Sequence, residues 1–196
     1  MSHSTDAEIR SALHRKELRA SHRCTDTLVI DELGLAHAKV RIDVAVINGC
    51  VHGYEIKSAA DTLARLPQQL GVYEQCLEKL TIVCADRHVA GVRGLAPRWC
   101  GIIKVTKGPR GGIEFDTLRE AKRNPKIEAY SLAHLLWRTE VVEILSQANT
   151  SPAVLRAPRK ALYELLAAQF TVEQITAFIK HSMASRQEWR SHQSLA

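Results

Sequence analysis

The sequence predicts an α/β fold, in which a central mixed sheet is flanked by helices and followed by a C-terminal helical subdomain. Two observations lead to this prediction. Apolar runs of strand length, two of them joined by a hairpin signal, occupy much of the chain before Ser131, and helical periodicity takes over from there. We therefore divide the chain into an α/β core at 1–127 and a helical extension at 128–196, which we expect to pack on or near the core.

The amino-acid composition is typical of a globular protein, and its positive net charge favours an acidic partner. The 196 residues are 45% hydrophobic and 24% charged, and the formal net charge of +6 favours a partner such as nucleic acid. The five cysteines include no Cys-x-x-Cys pair, so neither a disulfide framework nor a zinc site is indicated. The N-terminal residues lack a secretory pattern and no apolar stretch approaches bilayer length, so we expect a protein of the reducing cytoplasm without a membrane partner.

The first predicted elements are a helix and a strand. Thr5-Asp6-Ala7-Glu8 has the pattern of a capping box, which assigns Glu8 to the start of a helix. Thr27–Leu33 is a strand-like run in which Glu32 falls on an apolar face. That setting is unusual for a carboxylate unless the group is paired or bound to a ligand, although an edge-strand glutamate in solvent would also fit.

A hairpin is the next predicted element, because Asn48-Gly49 separates two apolar runs. Side chains alternate along a strand, so Glu55 and Lys57 project from one face, and Asp43 on the first strand lies within their reach. The alternation assigns the opposite face of the first strand to Ile42, Val44 and Val46. Charges on strands this apolar are costly to bury, and a metal ion offsets that cost. These residues predict a metal-assisted phosphodiester hydrolase; a solvated strand face is the competing interpretation.

A helix with an apolar stripe follows, and Pro67 suits its first turn. The stripe comprises Leu66, Leu70, Tyr73, Leu77 and Leu80. Gln69 and Tyr73 are four residues apart and therefore neighbours on the helix surface. Core packing would explain Tyr73 equally well, whereas Gln69 beside the stripe is harder to explain as core. Strands predicted at Thr81–Ala85 and Trp99–Val105 complete a right-handed crossover.

The residues from Asp43 to Tyr73 resemble a known nuclease signature. Asp43 followed by Glu55-Ile56-Lys57 resembles the Asp…(Asp/Glu)-X-Lys motif of the PD-(D/E)XK nuclease superfamily. Gln69-Leu70-Gly71-Val72-Tyr73 is similar to the Gln-x-x-x-Tyr motif of its RecB-like branch. Residues 31 to 98 are similar to a bacterial and phage family of that superfamily. Ile42, not proline, precedes Asp43, and that proline is often missing in the superfamily. The resemblance implies a restriction-endonuclease-like fold.

The resemblance also implies an activity and a cofactor. It predicts a nuclease that cleaves DNA to 5′-phosphate and 3′-hydroxyl ends, with Mg²⁺ or Mn²⁺ bound by Asp43, Glu55 and the carbonyl of Ile56. Lys57 would position or deprotonate the attacking water.

Further site residues follow from the same resemblance. Gln69 and Tyr73 would position the DNA backbone or support the site. Glu32 is the preferred third acid, because the similar family has a glutamate at this place, and Glu8 in the first helix is the second candidate. A non-catalytic nucleic-acid-binding or regulatory module, and a nuclease subunit active only in a complex, remain as alternatives.

The rest of the chain offers a basic segment and the helical extension. The basic residues are Arg119, Lys122, Arg123 and Lys126, and they form either a solvated surface or a phosphate-contact patch. In the extension, helices are predicted around Leu132–Leu145, over Leu155–Phe170 and from Thr171 towards Trp189. The extension would cover an exposed face of the core, or dock a complex partner or a second copy of the chain as a homodimer.

Overall fold

The computed structural model describes residues 4–193, with side chains described as far as residue 186. The helices are α1 (Asp6–Lys16), α2 (Arg19–Arg23), α3 (Leu66–Cys76), α4 (Val89–Leu95), α5 (Ala129–Ala133), α6 (Arg138–Gln147), α7 (Pro152–Leu155), α8 (Arg159–Gln169) and α9 (Val172–Gln193). The strands are β1 (Leu28–Leu35), β2 (Val40–Ile47), β3 (Val51–Lys57), β4 (Lys79–Ala85), β5 (Gly101–Lys107) and β6 (Ile113–Arg119). The predicted α/β class, with helices flanking a mixed sheet, is confirmed.

The six strands form one sheet in the order β1-β2-β3-β4-β5-β6. Strands β3, β4 and β5 run parallel, and the pairs β1–β2, β2–β3 and β5–β6 are antiparallel. The β2–β3 hairpin turns at Asn48, Gly49 and Cys50, and Gly49 has φ 66°. The turn therefore uses glycine where the backbone enters the left-handed region, as the Asn-Gly signal predicts.

The two faces of the sheet bury different residues. On one face, α1 contributes Ile9, Ala12 and Leu13 to a cluster that also holds Val44, Val46, Ile56, Val83 and Ile103. On the other face, a side chain added at Gly53 would meet Leu77 and Ile42. Ile56 and Glu55 are neighbours on β3, so Glu55 points to the side of α3.

Two local predictions about this region are wrong. The apolar stripe was expected to continue along one helix to Leu80, but α3 ends at Cys76 and Leu80 belongs to β4. The strand-forming run that starts near Lys79 pairs with β3 instead.

The second wrong prediction placed Ile42 and Val44 on the same strand face. Val44 packs in the α1 cluster, whereas Ile42 lies beside Gly53 on the α3 side. The alternation breaks at Asp43, which lies opposite Glu32 of β1. Glu32 has φ 55°, and the two residues are not paired in the ladder, although the pairs Asp31–Val44 and Leu33–Ile42 on either side keep one register. This irregularity turns the Asp43 side chain towards β3.

Contacts divide the chain into two compact units between Lys126 and Ile127. In the second unit, the buried residues of α5, α6, α8 and α9 include Leu132, Val141, Leu145, Leu162, Tyr163, Ile175 and Ile179. The predicted helix over Leu155–Phe170 is split, because Pro158 stands at the start of α8. None of the helices within residues 4–193 is long and apolar enough to cross a membrane.

Candidate active site

A charged cleft of about 580 Å³ opens between α1, the β1–β2 loop, the ends of β2 and β3, and the start of α3. The sequence-predicted residues that line it are Glu32, Asp43, Glu55, Ile56, Lys57 and Gln69. Tyr73 reaches the same residues from beneath, through its hydroxyl group. The local structure explains this convergence: the hairpin aligns Asp43 with Glu55, and β3 carries Lys57 two residues further on the same face.

Glu55 is the most enclosed charge of the cleft, with 2% of its surface exposed. Its Oε1 accepts hydrogen bonds from Lys57 Nζ at 2.6 Å and from Gln69 Nε2 at 2.8 Å, and Oε2 accepts one from the Tyr73 hydroxyl at 2.5 Å. Lys57 Nζ also donates to Gln69 Oε1 at 3.2 Å. Three donors on a carboxylate with about four acceptor positions leave room for one further ligand, on Oε2.

Tyr73 combines the two roles considered from the sequence. Its side chain is fully buried, as expected of a core residue. Burial and the negative charge of Glu55 raise the pKa of the Tyr73 hydroxyl well above its usual range, so the hydroxyl stays protonated. Its single proton is donated at the shortest contact, to Glu55, and the 3.2 Å distance to the Arg41 carbonyl is a secondary contact.

Asp43 is held at the edge of the hairpin. Its Oδ2 accepts the backbone N–H of Ile56 at 2.6 Å, because the β2–β3 ladder ends at the Val44–Tyr54 pair and leaves that N–H to the side chain. Burial, followed by the negative charge of Glu55, raises the pKa of Asp43 to about 7, and the hydrogen bond from Ile56 opposes both effects. The carbonyl of Ile56 faces the same side as its N–H, towards Asp43.

These donors fit a hard divalent cation. Among the described residues, no three His, Cys, Asp or Glu side chains are grouped so that they could hold a metal ion by themselves. Mg²⁺ needs few protein ligands, since it keeps several waters and prefers oxygen donors. Asp43, Glu55 and the Ile56 carbonyl supply such donors. The pKa of Asp43 is raised first by burial and then by the charge of Glu55, and a cation would offset both effects.

The two candidates for a third acid have other partners. Glu32 lines the cleft, but its carboxylate pairs with Arg10 at 2.5 Å and with Arg41 at 3.5 Å. Glu8 lies outside the cleft lining and closes the predicted capping box with Thr5, whose backbone N–H donates to Glu8 Oε2 at 2.7 Å. The Thr5 bonds lower the pKa of Glu8.

Sequence reasoning missed several residues of the cleft, among them Asp6 and Arg10. Arg10 Nη2 lies 3.1 Å from Asp6 Oδ2, 2.5 Å from Glu32 Oε1 and 3.4 Å from Asp43 Oδ1. The signal available in the sequence was the four-residue spacing of Asp6 and Arg10, which puts both on one side of α1. That spacing is common on solvated helices, so it does not identify a site.

The predicted basic segment is largely occupied by internal contacts. Arg119 Nε donates to the Cys100 carbonyl at 2.6 Å, and its Nη2 donates to the Pro97 carbonyl at 3.0 Å. Arg123 pairs with Glu78 at 3.5 Å, and Lys126 pairs with Glu74 at 3.2 Å, while the Lys122 side chain is exposed. The segment lies apart from the charged cleft lining, and its contacts favour a structural surface over a phosphate patch.

Comparison with known proteins gives one family. The family model described as Bacteriophage P4 protein cII matches residues 2–195. Protein cII of Enterobacteria phage P4 is 24% identical over 172 residues, which cover 88% of this chain. The chain spans 64% of the length of that relative. No solved structure matches.

Proposed function

Starting from the membership of this chain in the bacteriophage P4 protein cII family, we propose that it is a divalent-metal-dependent nuclease acting on DNA. The observation that carries the proposal is the meeting of Asp43, Glu55 and Lys57 in one charged cleft. We also propose that the fold is restriction-endonuclease-like. The mixed sheet supports this, because the β2–β3 hairpin that carries Asp43 and Glu55 lies inside it.

In this proposal the cofactor would be held by Asp43, Glu55 and the Ile56 carbonyl. A bound Mg²⁺ or Mn²⁺ would polarise the scissile phosphate and offset the charge that develops on its oxygens. The protein contributes the orientation of that donor set: Tyr73 and Gln69 fix the two oxygens of Glu55, and the Ile56 N–H fixes Asp43.

Lys57 contributes a proton donor and a positive charge. Its ammonium group stands between Glu55 and Gln69, and Lys57 lines the charged cleft. There it can orient a water molecule for attack on phosphorus, and it stabilises the negative charge of the phosphate. As the resemblance to the nuclease superfamily implies, the water oxygen would bond to phosphorus while the P–O3′ bond breaks and a proton of the water goes to O3′. The products would be a 5′-phosphate and a 3′-hydroxyl group.

The rim of the charged cleft supports a nucleic-acid substrate. Lys39, Arg41 and Arg65 line the cleft with exposed side chains, so cationic groups surround the acidic centre. Phosphates on either side of the scissile bond would meet these groups.

A direct test is cleavage of linear, circular and single-stranded DNA, and of RNA, in Mg²⁺, Mn²⁺ or EDTA. Asp43→Asn, Glu55→Gln and Lys57→Met should each abolish cleavage. Asp116→Asn is the control, because Asp116 is an exposed acid that pairs with Lys104 at 3.2 Å on β5 and β6. Cleavage that persists in EDTA, or in Glu55→Gln, would contradict the proposal.

A second candidate function is a nucleic-acid-binding module without turnover. The observation that favours it is the ion pair between Lys57 and Glu55, since both side chains are buried and pair with each other at 2.6 Å. In that case DNA would bind with equal affinity to the parent and to Glu55→Gln, and no condition would give cleavage.

A further inference from the structure

The charged cleft contains a cation of its own, the guanidinium group of Arg10. Its Nη2 atom contacts carboxylates from three elements: Asp6 on α1, Glu32 on β1 and Asp43 on β2. Oxygen atoms that converge on one point from separate elements form the kind of surrounding that a hard cation prefers. The guanidinium group of Arg10 therefore takes the place of a bound cation among these three carboxylates.

The three contacts of Arg10 differ in strength. The distance to Glu32 is 2.5 Å, whereas the distance to Asp43 is 3.4 Å, at the limit of a hydrogen bond. The Arg10 Nε atom is buried and has no hydrogen-bond partner among the described residues, so the guanidinium is held through one terminal nitrogen. A group held in this way can leave Asp43 while it stays bound to Glu32.

The position of Glu32 supports the same interpretation. Its backbone has φ 55°, a left-handed conformation that costs free energy for a residue with a side chain. This conformation breaks the β1–β2 ladder and aims the carboxylate at Arg10. Glu32 thus acts as the anchor of Arg10.

We propose that Arg10 is a positioning residue that occupies the Asp43 carboxylate in the metal-free protein and withdraws to Glu32 when a divalent cation binds. The inference rests on the proposed metal site. It makes Arg10 the residue that sets cation affinity, and it gives Glu32 a role through Arg10 in place of a role as third ligand. Arg10 and a bound cation would both sit against the Asp43 carboxylate, and the repulsion between the two positive charges makes cation binding oppose the Arg10–Asp43 contact.

The first test is calorimetric titration of the full chain with Mn²⁺ and with Ca²⁺. Arg10→Met should bind either ion about tenfold more tightly than the parent, because the competing charge is gone. The matched control is Arg41→Met, which also removes one positive charge from the cleft. Arg41 pairs with Glu32, as Arg10 does, but has no ion pair with Asp43 among the described residues. Equal effects of the two substitutions would mean that charge alone matters, and would overturn the inference.

The second test is an NMR titration of the parent protein, so it does not depend on whether a variant folds. In the parent protein labelled with ¹⁵N-arginine, the side-chain signals of Arg10 should shift during Ca²⁺ titration with the midpoint that calorimetry gives. Arg186, which pairs with Glu140 in the other unit, should not shift. A stationary Arg10 signal at saturating Ca²⁺ would overturn the inference.

The outcomes separate this inference from the proposed function. If the parent and Arg10→Met bind Mn²⁺ equally well, Arg10 does not compete and the metal site stands. If neither protein binds Mn²⁺ or Ca²⁺, the metal site and the inference fail together.

Discussion

Asp43 carries a carboxylate that its surroundings disfavour in the metal-free protein. Burial and Glu55 both raise its pKa, to about 7, while an unfolded chain would release the proton near 3.8. Between these two values the unfolded state loses its proton first as the pH rises. Asp43 therefore lowers stability progressively as the pH rises from about 4 to about 7, and its effect is constant above that range.

We expect Asp43→Asn to remove this effect while its amide oxygen still accepts the Ile56 N–H. In EDTA at pH 8 the variant should exceed the parent in free energy of unfolding by about 2 kcal/mol, and the difference should shrink towards pH 4. Urea unfolding at several pH values measures it. A difference that does not depend on pH would contradict the assigned pKa.

The Tyr73 hydroxyl allows a prediction with a matched control. Tyr73→Phe leaves a buried oxygen of Glu55 without its donor, which should cost about 1–3 kcal/mol of stability and most of the cleavage activity. Tyr163 is also fully buried, and its hydroxyl donates at 2.7 Å to the Leu136 carbonyl in the helical unit. Tyr163→Phe should lose similar stability and keep full activity. Equal activity in both variants would leave Tyr73 as core packing alone.

At the residue scale, the sequence reached the centre of the site but not its surroundings. Period-2 alternation and the hairpin signal are local rules, and they put Asp43, Glu55 and Lys57 within reach of one another. Gln69 and Tyr73 were added to the site through the resemblance to the nuclease superfamily. Arg10 and its pairing with Glu32 depend on how α1 lies against β1, at a separation of 22 residues along the chain, and no local pattern encodes that arrangement.

The hairpin packs closely against the residue that follows α3. A Cβ added at Gly53 of β3 would lie 2.6 Å from Cδ1 of Leu77, just after α3, and 3.0 Å from Cγ1 of Ile42 on β2. Both neighbours are fully buried and cannot move away freely. Close packing at this point sets the distance between β3, which carries Glu55, and α3, which carries Gln69 and Tyr73.

We expect Gly53→Ala to lower stability by about 1–3 kcal/mol through overpacking. Gly71 provides the opposite case within α3, because an added Cβ would meet nothing within 4 Å. Gly71→Ala should raise stability by about 1 kcal/mol through helix propensity. Chemical denaturation of both variants measures the two signs, and destabilisation by Gly71→Ala would show that α3 needs that glycine.

Element boundaries were predicted less well than element types. Leu77 and Leu80 continue the apolar spacing of α3, so periodicity alone extends the helix into β4. The buried Glu78 lies between them, and its carboxylate accepts the Val51 N–H at 2.8 Å. That contact ties the chain just beyond α3 to Val51 of β3, 27 residues earlier, so the spacing of apolar residues does not encode it.

At the scale of the whole molecule, net charge of +6 does not say which surface meets nucleic acid. The structure distinguishes two basic groups: the cleft rim of Lys39, Arg41 and Arg65, and the segment of Lys122, Arg123 and Lys126. The rim lines the same cleft as Asp43 and Glu55, whereas Arg123 and Lys126 of the segment pair with Glu78 and Glu74 outside that lining.

We expect DNA binding by the triple alanine variant of the rim to depend less on salt. The slope of log K for binding against log salt concentration should become shallower by about 0.9 for each phosphate that the variant no longer neutralises. The triple alanine variant of the segment should keep the slope of the parent. Titrations in Ca²⁺ at several ionic strengths compare the two. A reduced slope for the segment variant would restore the phosphate-patch interpretation.

The strand order of the sheet has a consequence for how the protein is made. Each strand lies beside the strand that precedes it in the chain, so no strand waits for a distant partner before it can pair. Contacts between neighbouring segments form fast, and chains acquire structure from the N-terminus during synthesis. We expect pulse-labelled hydrogen exchange on refolding to protect the amides of the antiparallel pairs β2–β3 and β5–β6 before those of β4, which runs parallel to both its neighbours; protection of β4 first would contradict this order. The hairpin that bears Asp43 and Glu55 would then be in place while the ribosome is still translating the helical unit.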